Sequence, residues 1–207
     1  MFMVIIEGNI GSGKSTLAEK LATLMEAKLY KEPVDDNPYL KPFYKEPKKY
    51  AFLMQLYLLD IRFRMHVDGW KEMCKTLKPV IFDRSYYGDA MFAKQNYLCG
   101  NMTNEEYEMY MRVRNTMSNY LHVPHITIYL NTDPKIAKER ILKRGRDCEK
   151  GIPIEYLQGL SDLYKGLIFE LGMQGSHVLE YNWNEPMNEL KVLADIEEVT
   201  DRRVAKI

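Results

Sequence analysis

The most constraining feature of the chain is the run Gly8-Asn9-Ile10-Gly11-Ser12-Gly13-Lys14-Ser15, which fits G-x-x-x-x-G-K-S. It follows a short apolar β-type run at 3–7 and opens an amphipathic helical stretch at 14–25. Glycines at 8, 11 and 13 let the backbone approach a phosphate and turn successive N–H groups inward. The helix that follows adds the positive end of its dipole. Lys14 can reach the outer phosphates of a nucleoside triphosphate, and the Ser15 hydroxyl can hold Mg²⁺. A glycine-rich turn that binds nothing would not need strand, spacing and helix together.

This frame sets the architecture. β-type runs at 3–7, 28–31, 79–83, 126–130 and 177–180 alternate with helical runs at 14–25, 48–74, 86–95, 104–121, 134–144, 154–171 and 188–199. The alternation predicts an α/β fold with a five-stranded parallel sheet flanked by helices, a three-layer P-loop NTPase arrangement. Thr103 to Glu106 and Asp133-Pro134 read as helix starts. The length of 207 residues suits one domain, 1–207. Ligands on such sheets bind outside the carboxyl ends of the strands, so the residues after positions 7, 31, 83 and 130 should meet on one rim.

Composition narrows the partners. Lys+Arg 29 balances Asp+Glu 29, which gives no field favouring nucleic acid or a membrane surface. No apolar run has the length of a membrane span. The three cysteines, Cys74, Cys99 and Cys148, are sparse and lack metal-ligand spacing, as expected in a reducing cytoplasm. The strand so near the first residue leaves no room for a targeting peptide in this sequence. A regulatory GTPase would need N-K-x-D and D-x-x-G, and neither pattern is present.

Other residues on the expected rim carry chemistry. Arg140 and Arg144 lie four apart on one helix face, and Arg146 follows Gly145. Guanidinium forks suit phosphate oxygens and the charge of a phosphoryl transition state, and the run can equally be a solvated helix end. Its place after the fourth strand, with a glycine-bounded loop at 145–151, favours an arginine-rich lid at about 140–151 that keeps water from the γ-phosphate. Glu32 follows the second strand, where a carboxylate can serve a hydroxyl nucleophile as base or simply be a solvated turn residue. Asp83 and Arg84 end the third strand. Asp83 is placed for the Mg²⁺ shell and Arg84 for the acceptor end, with a structural ion pair as the plainer alternative. Gln55 and Arg62 are seven apart on one face of the long helix, among the core residues Met54, Leu58, Ile61 and Met65. A buried Gln55 must satisfy both ends of its amide, with protein groups or with a purine edge.

The combination GNIGSGKST at 8–16, EPV at 32–34, FYKEP at 43–47, FLMQLY at 52–57, Arg62, DRS at 83–85, Asp89 and RGRDCEKGIPIEYL at 144–157 closely resembles the deoxynucleoside kinase family, over residues 5 to about 171. The resemblance implies transfer of the γ-phosphoryl group of ATP, or another nucleoside triphosphate, to the 5′-hydroxyl of a deoxynucleoside. Deoxyadenosine is the expected substrate, with deoxyguanosine and deoxycytidine as further candidates. It implies that Glu32 is the base on that hydroxyl with Arg84 beside it. Tyr44 and Glu149 clamp the sugar 3′-hydroxyl, and Gln55 reads the base. Arg62 and Asp89 form a charged pair over the base, and Phe92 is a candidate to sandwich it. Gly8 through Thr16, with Arg140, Arg144 and Arg146, hold the triphosphate. The DRS triplet, where animal relatives have ERS, looks like a bacterial-type member. The family also implies a homodimer, for which the tyrosine- and methionine-rich helix at 104–121 is a candidate interface, and inhibition by a deoxynucleoside triphosphate product. The alternative reading is a nucleoside monophosphate kinase of the thymidylate type. It is disfavoured because Glu32 would repel an acceptor phosphate.

Overall fold

The computed structural model describes residues 1–32 and 37–204, with side chains up to residue 201. Pro33 and Val34 of the EPV stretch lie outside the described residues. Five strands, β1 (Met3–Gly8), β2 (Lys28–Tyr30), β3 (Val80–Asp83), β4 (Ile126–Asn131) and β5 (His177–Asn182), form one sheet in the order β2-β3-β1-β4-β5. Every neighbouring pair is parallel. The strand order reverses around β1, so the crevice above its carboxyl end is the topological switch point.

Alternating strand residues feed two cores, one on each face of the sheet. Met3, Ile5, Val80 and Phe82 pack with α3 (Pro47–Thr76), α4 (Tyr86–Leu98) and α7 (Ile154–Met173). Val4, Ile6, Ile81 and Ile128 pack with α1 (Lys14–Leu24) and α8 (Glu189–Val204). Burial on both sides explains why the strands read as continuous apolar runs. Helix α5 (Asn104–Ser118) starts with a reciprocal capping box between Thr103 and Glu106. Asp133 caps α6 (Pro134–Arg144), with Pro134 in its first turn.

Two short elements go beyond the sequence reading, α2 (Leu40–Lys45) and a 3-10 turn at Asp147–Glu149. Both are too short to show helical periodicity, and Pro42 inside α2 argues locally against a helix. They carry Tyr44 and Glu149 to the same wall of the crevice, and α2 packs against the 3-10 turn.

Candidate active site

The crevice holds a cavity of about 520 Å³ above the carboxyl ends of the strands. It is lined by the glycine-rich loop, Glu32, Asp83 and Arg84, side chains of α2, α3 and α4, and the arginines of and after α6.

The glycine-rich loop is built as a phosphate cradle. Gly11 and Gly13 have φ of 79° and 87°, in the left-handed region that glycine adopts without strain. A Cβ on Gly11 would lie 2.5 Å from the Ala137 carbonyl oxygen, so the loop packs tightly under α6. Lys14 donates from Nζ to the Asn9 carbonyl at 2.6 Å and to Ser12 Oγ at 3.1 Å. Burial, and next the nearby Arg84 charge, lower its pKa to about 7. Ser15 and Thr16 face the cavity. Asn9 turns away: its Nδ2 donates to the Leu157 carbonyl at 2.7 Å and to Ser161 Oγ at 2.9 Å, tying the cradle to α7. Gly8 and Ser12 contribute backbone shape and the Lys14 contact without lining the cavity.

On the acceptor side the structure joins Glu32, Arg62, Arg84 and Asp89 in one buried charge network. Arg62 pairs through Nη1 with Asp89 Oδ1 and through Nη2 with Glu32 Oε1. Arg84 Nε lies 2.9 Å from Glu32 Oε2. Burial alone would raise the pKa of Glu32, but Arg62 and then Arg84 outweigh it and hold the carboxyl below its usual value. Burial likewise opposes the charge on Arg62, and the two carboxylates reverse the effect, so its pKa is raised. Phe92 lines the cavity with the Arg84 guanidinium 4.7 Å from its ring centre.

Asp89 sits behind this layer and does not line the cavity. Its Oδ2 accepts from the Tyr110 hydroxyl of α5 at 2.5 Å. Both carboxylate oxygens are therefore engaged, one by Arg62 and one by Tyr110. Tyr110 is a partner that the sequence reading lacks, because nothing in the helical periodicity of α5 marks one tyrosine among several. Gln55 is fully buried on the cavity wall, and neither end of its amide has a partner among the described residues. Orphaned buried amide groups cost about 1–3 kcal/mol each, a cost that a polar group entering the cavity could relieve.

The arginines of and after α6 are split between two attachments. Arg140 donates from Nη2 to the carbonyls of Trp183 and Asn184 at 2.9 and 2.6 Å. Arg144 pairs with Glu149, and Arg146 reaches the same carboxylate at 3.4 Å. Lys138 donates to the carbonyls of Lys150 and Ile152 at 2.7 and 2.6 Å, which fastens the loop at 145–151 to α6. Tyr44 stands near Glu149. Its hydroxyl pKa is raised well above the usual value, first by burial and next by that carboxylate.

Among the described residues no group of three or more acidic, histidine or cysteine side chains could hold a metal ion. Ser15 and Asp83, an oxygen pair on the cavity wall, suit a cation that is held mainly by substrate phosphates and water. Among the described residues no helix is long and apolar enough to cross a membrane.

Comparison with known proteins gives the same reading. Residues 4–202 match the family described as deoxynucleoside kinase. A deoxyguanosine kinase of Dictyostelium discoideum is 39% identical over 182 residues, 88% of this chain and 64% of that protein. A deoxyadenosine kinase of the same organism is 36% identical, over 88% of this chain and 72% of that protein. The chain thus spans somewhat under two thirds of the first of these relatives and somewhat over two thirds of the second. The structure of the deoxyadenosine kinase from M. mycoides with bound dCTP superposes with a TM-score of 0.80 at 29% identity, covering 96% of this chain and 99% of that one. The family match over nearly the whole chain and the kinase-type crevice agree: the chain belongs to the deoxynucleoside kinase family of phosphotransferases.

Proposed function

We propose that the chain transfers the γ-phosphoryl group of a nucleoside triphosphate to the 5′-hydroxyl of a purine deoxynucleoside. The observation that carries the reading is the crevice itself. It has a phosphate cradle at one end, a carboxylate held ionised between two arginines in the middle, and a buried, partnerless Gln55 at the other. Glu32 accepts the proton of the 5′-hydroxyl late in transfer, when bonding to phosphorus develops. Arg84 steadies that carboxylate and meets charge spreading from the phosphoryl group. Lys14 and the loop N–H groups hold the triphosphate, and Arg140, Arg144 and Arg146 close over it. Mg²⁺, held through Ser15 and Asp83, neutralises the phosphate oxygens when bound.

Glu149 pairs with Arg144 and Arg146 in the structure. Arrival of phosphates draws these arginines away and frees Glu149, with Tyr44, for the sugar 3′-hydroxyl. The reading of deoxyadenosine as preferred substrate stands beside deoxyguanosine, because the most similar relatives quoted above include kinases of both. Gln55 offers one donor and one acceptor, which match adenine through its amine and ring nitrogen and match guanine through O6 and N1–H after an amide flip. One panel decides: each deoxynucleoside, and dTMP, with ATP and Mg²⁺. Phosphorylation of dTMP in preference to every nucleoside would overturn the reading.

Thymidine is expected to be poor, because its methyl group needs room on the wall where Arg62 stands, held by Asp89, although its O4 and N3–H could meet a flipped Gln55 as guanine does. Overpacking a methyl group there costs about 1–3 kcal/mol. Arg62→Met with Asp89→Ala should open room and raise the thymidine-to-deoxyadenosine ratio of kcat/KM. Asp89→Ala alone should lower kcat/KM for both, since Arg62 then leans wholly on Glu32 and competes with its role as base. A double variant that leaves the ratio unmoved would remove this pair from base choice.

A deoxynucleoside triphosphate carries a base and phosphates in one molecule, and the deoxyadenosine kinase from M. mycoides binds dCTP and dATP. We expect such triphosphates to enter in reverse, base in the acceptor end and phosphates in the loop at 8–15. Inhibition should be competitive with the nucleoside and strongest for triphosphates of good substrates. Equal inhibition by all four would contradict this. A homodimer and a cytoplasmic location remain part of the proposal, with α5 as the candidate interface. Sedimentation of the wild type tests the first.

A further inference from the structure

Glu7 is the last residue of β1 before the cradle glycine, and it is fully buried. A buried carboxylate is costly, and an apolar residue would usually serve stability as well. Its contacts are all on the acceptor side of the site. Oε1 accepts from the Ser85 backbone N–H at 2.9 Å and from the Ser85 hydroxyl. Oε2 accepts from the Tyr164 hydroxyl at 3.1 Å. Ser85 Oγ in turn caps α4, accepting from the N–H groups of Tyr87 and Gly88 at 3.1 and 3.3 Å. A Cβ on Gly88 would collide with the Glu7 carboxylate, so the absence of a side chain there is what lets Glu7 reach the helix start.

Arg84 stands between these contacts. Its φ of 69° is in the left-handed region, which a long side chain adopts only when its surroundings hold it there. At the backbone, the turn is fixed by the Arg84 N–H on the Ile6 carbonyl at 3.2 Å and by Ser85 on Glu7. At the tip, Arg84 Nη1 donates to the Gly8 carbonyl at 3.4 Å and to the Tyr164 hydroxyl at 3.3 Å. Tyr164 can accept from Arg84 and still donate its own proton to Glu7. Glu7 is therefore the group that holds both the turn beneath Arg84 and, through Tyr164, its guanidinium.

We propose that Glu7 is a positioning residue for phosphoryl transfer: with Tyr164 it fixes Arg84 against Glu32, and so links the phosphate cradle to the acceptor. The inference rests on the role of Arg84 in the proposed function. A positioning role differs from a packing role in one respect, because its effect on turnover must pass through Arg84.

The test is a double-mutant cycle, with kcat and both KM values obtained by varying ATP and the deoxynucleoside in turn while the other is saturating. Glu7→Gln keeps the shape, but its amide nitrogen must face either the Ser85 donors or Tyr164, which leaves the Ser85 N–H in the one case and the tyrosine proton in the other without an acceptor. We expect kcat to fall roughly 10²-fold, the scale for a displaced catalytic group, with KM values nearly unchanged. In an Arg84→Gln background the same change should lower kcat no further. Tyr164→Phe runs the same cycle at constant shape if Glu7→Gln folds poorly. Glu7→Gln and Tyr164→Phe losses that persist undiminished without Arg84 would make the two residues structural only and overturn the proposal. So would normal turnover in both while Arg84→Gln is impaired. Normal turnover in Arg84→Gln itself would instead overturn the assigned role of Arg84.

Discussion

Glu32→Gln is expected to lower kcat by about 10²–10⁴-fold, the usual contribution of one general base, with the KM for the nucleoside largely retained. The amide preserves the shape of the side chain and can still accept a hydrogen bond, but it cannot take the hydroxyl proton. It also breaks the charge balance between Arg62 and Arg84, which face one oxygen each. Some of the loss is therefore electrostatic, and a pH profile separates the two. In the wild type the two arginines hold Glu32 below the ordinary 4.5. The carboxylate is then ionised throughout the neutral range, and any acid limb of kcat/KM that belongs to Glu32 lies below that value. The sign for stability is the same. The paired, ionised Glu32 contributes fully above its unfolded pKa, and the contribution is lost as pH falls through the lower folded pKa. Glu32→Gln should remove both dependences. Turnover within a few fold of wild type would take Glu32 out of the mechanism.

The parts of this site visible in the sequence are those with a fixed local spacing. The cradle is legible because phosphate binding needs glycines, a lysine and a helix start in one continuous run. The rim positions of Glu32, Asp83 and Arg84 follow from parallel topology, since each comes at or just after the end of a strand. Gln55 and Arg62 share a helix face. What the sequence does not show is how side chains from distant elements complete one another. Tyr110 reaches Asp89 from α5, Tyr164 reaches Glu7 from α7, and no periodicity singles out either tyrosine. Both are buried hydroxyls whose partners lie 21 and 157 residues away. Asp89 enters the sequence analysis only through the family resemblance, as half of a charged pair with Arg62, and its second partner, Tyr110, is what the sequence does not show. Glu7 was legible only as the end of a strand, because a strand pattern gives no reason for a carboxylate in a buried position.

Lys14→Ala is expected to abolish transfer while the protein still folds. The ammonium braces the cradle through Asn9 and Ser12, and it belongs to neither apolar core. Its loss removes the charge that meets the outer phosphates, where catalysis consists of positioning and electrostatic stabilisation. Thermal melting monitors folding independently. The lysine also predicts a proton linkage. Burial and Arg84 lower its pKa to about 7, so above that pH much of it is neutral. A bound triphosphate favours the charged form and must then recruit a proton. Affinity for ATP should be flat below about pH 7 and fall by up to about tenfold per pH unit above it. Calorimetry at pH 8 in two buffers of different ionisation enthalpy should show proton uptake on binding. Lys14→Arg, charged at every accessible pH, should abolish that uptake even where it supports some binding. Uptake that persists in Lys14→Arg would assign the titrating group elsewhere, and full activity in Lys14→Ala would remove the cradle from phosphoryl transfer.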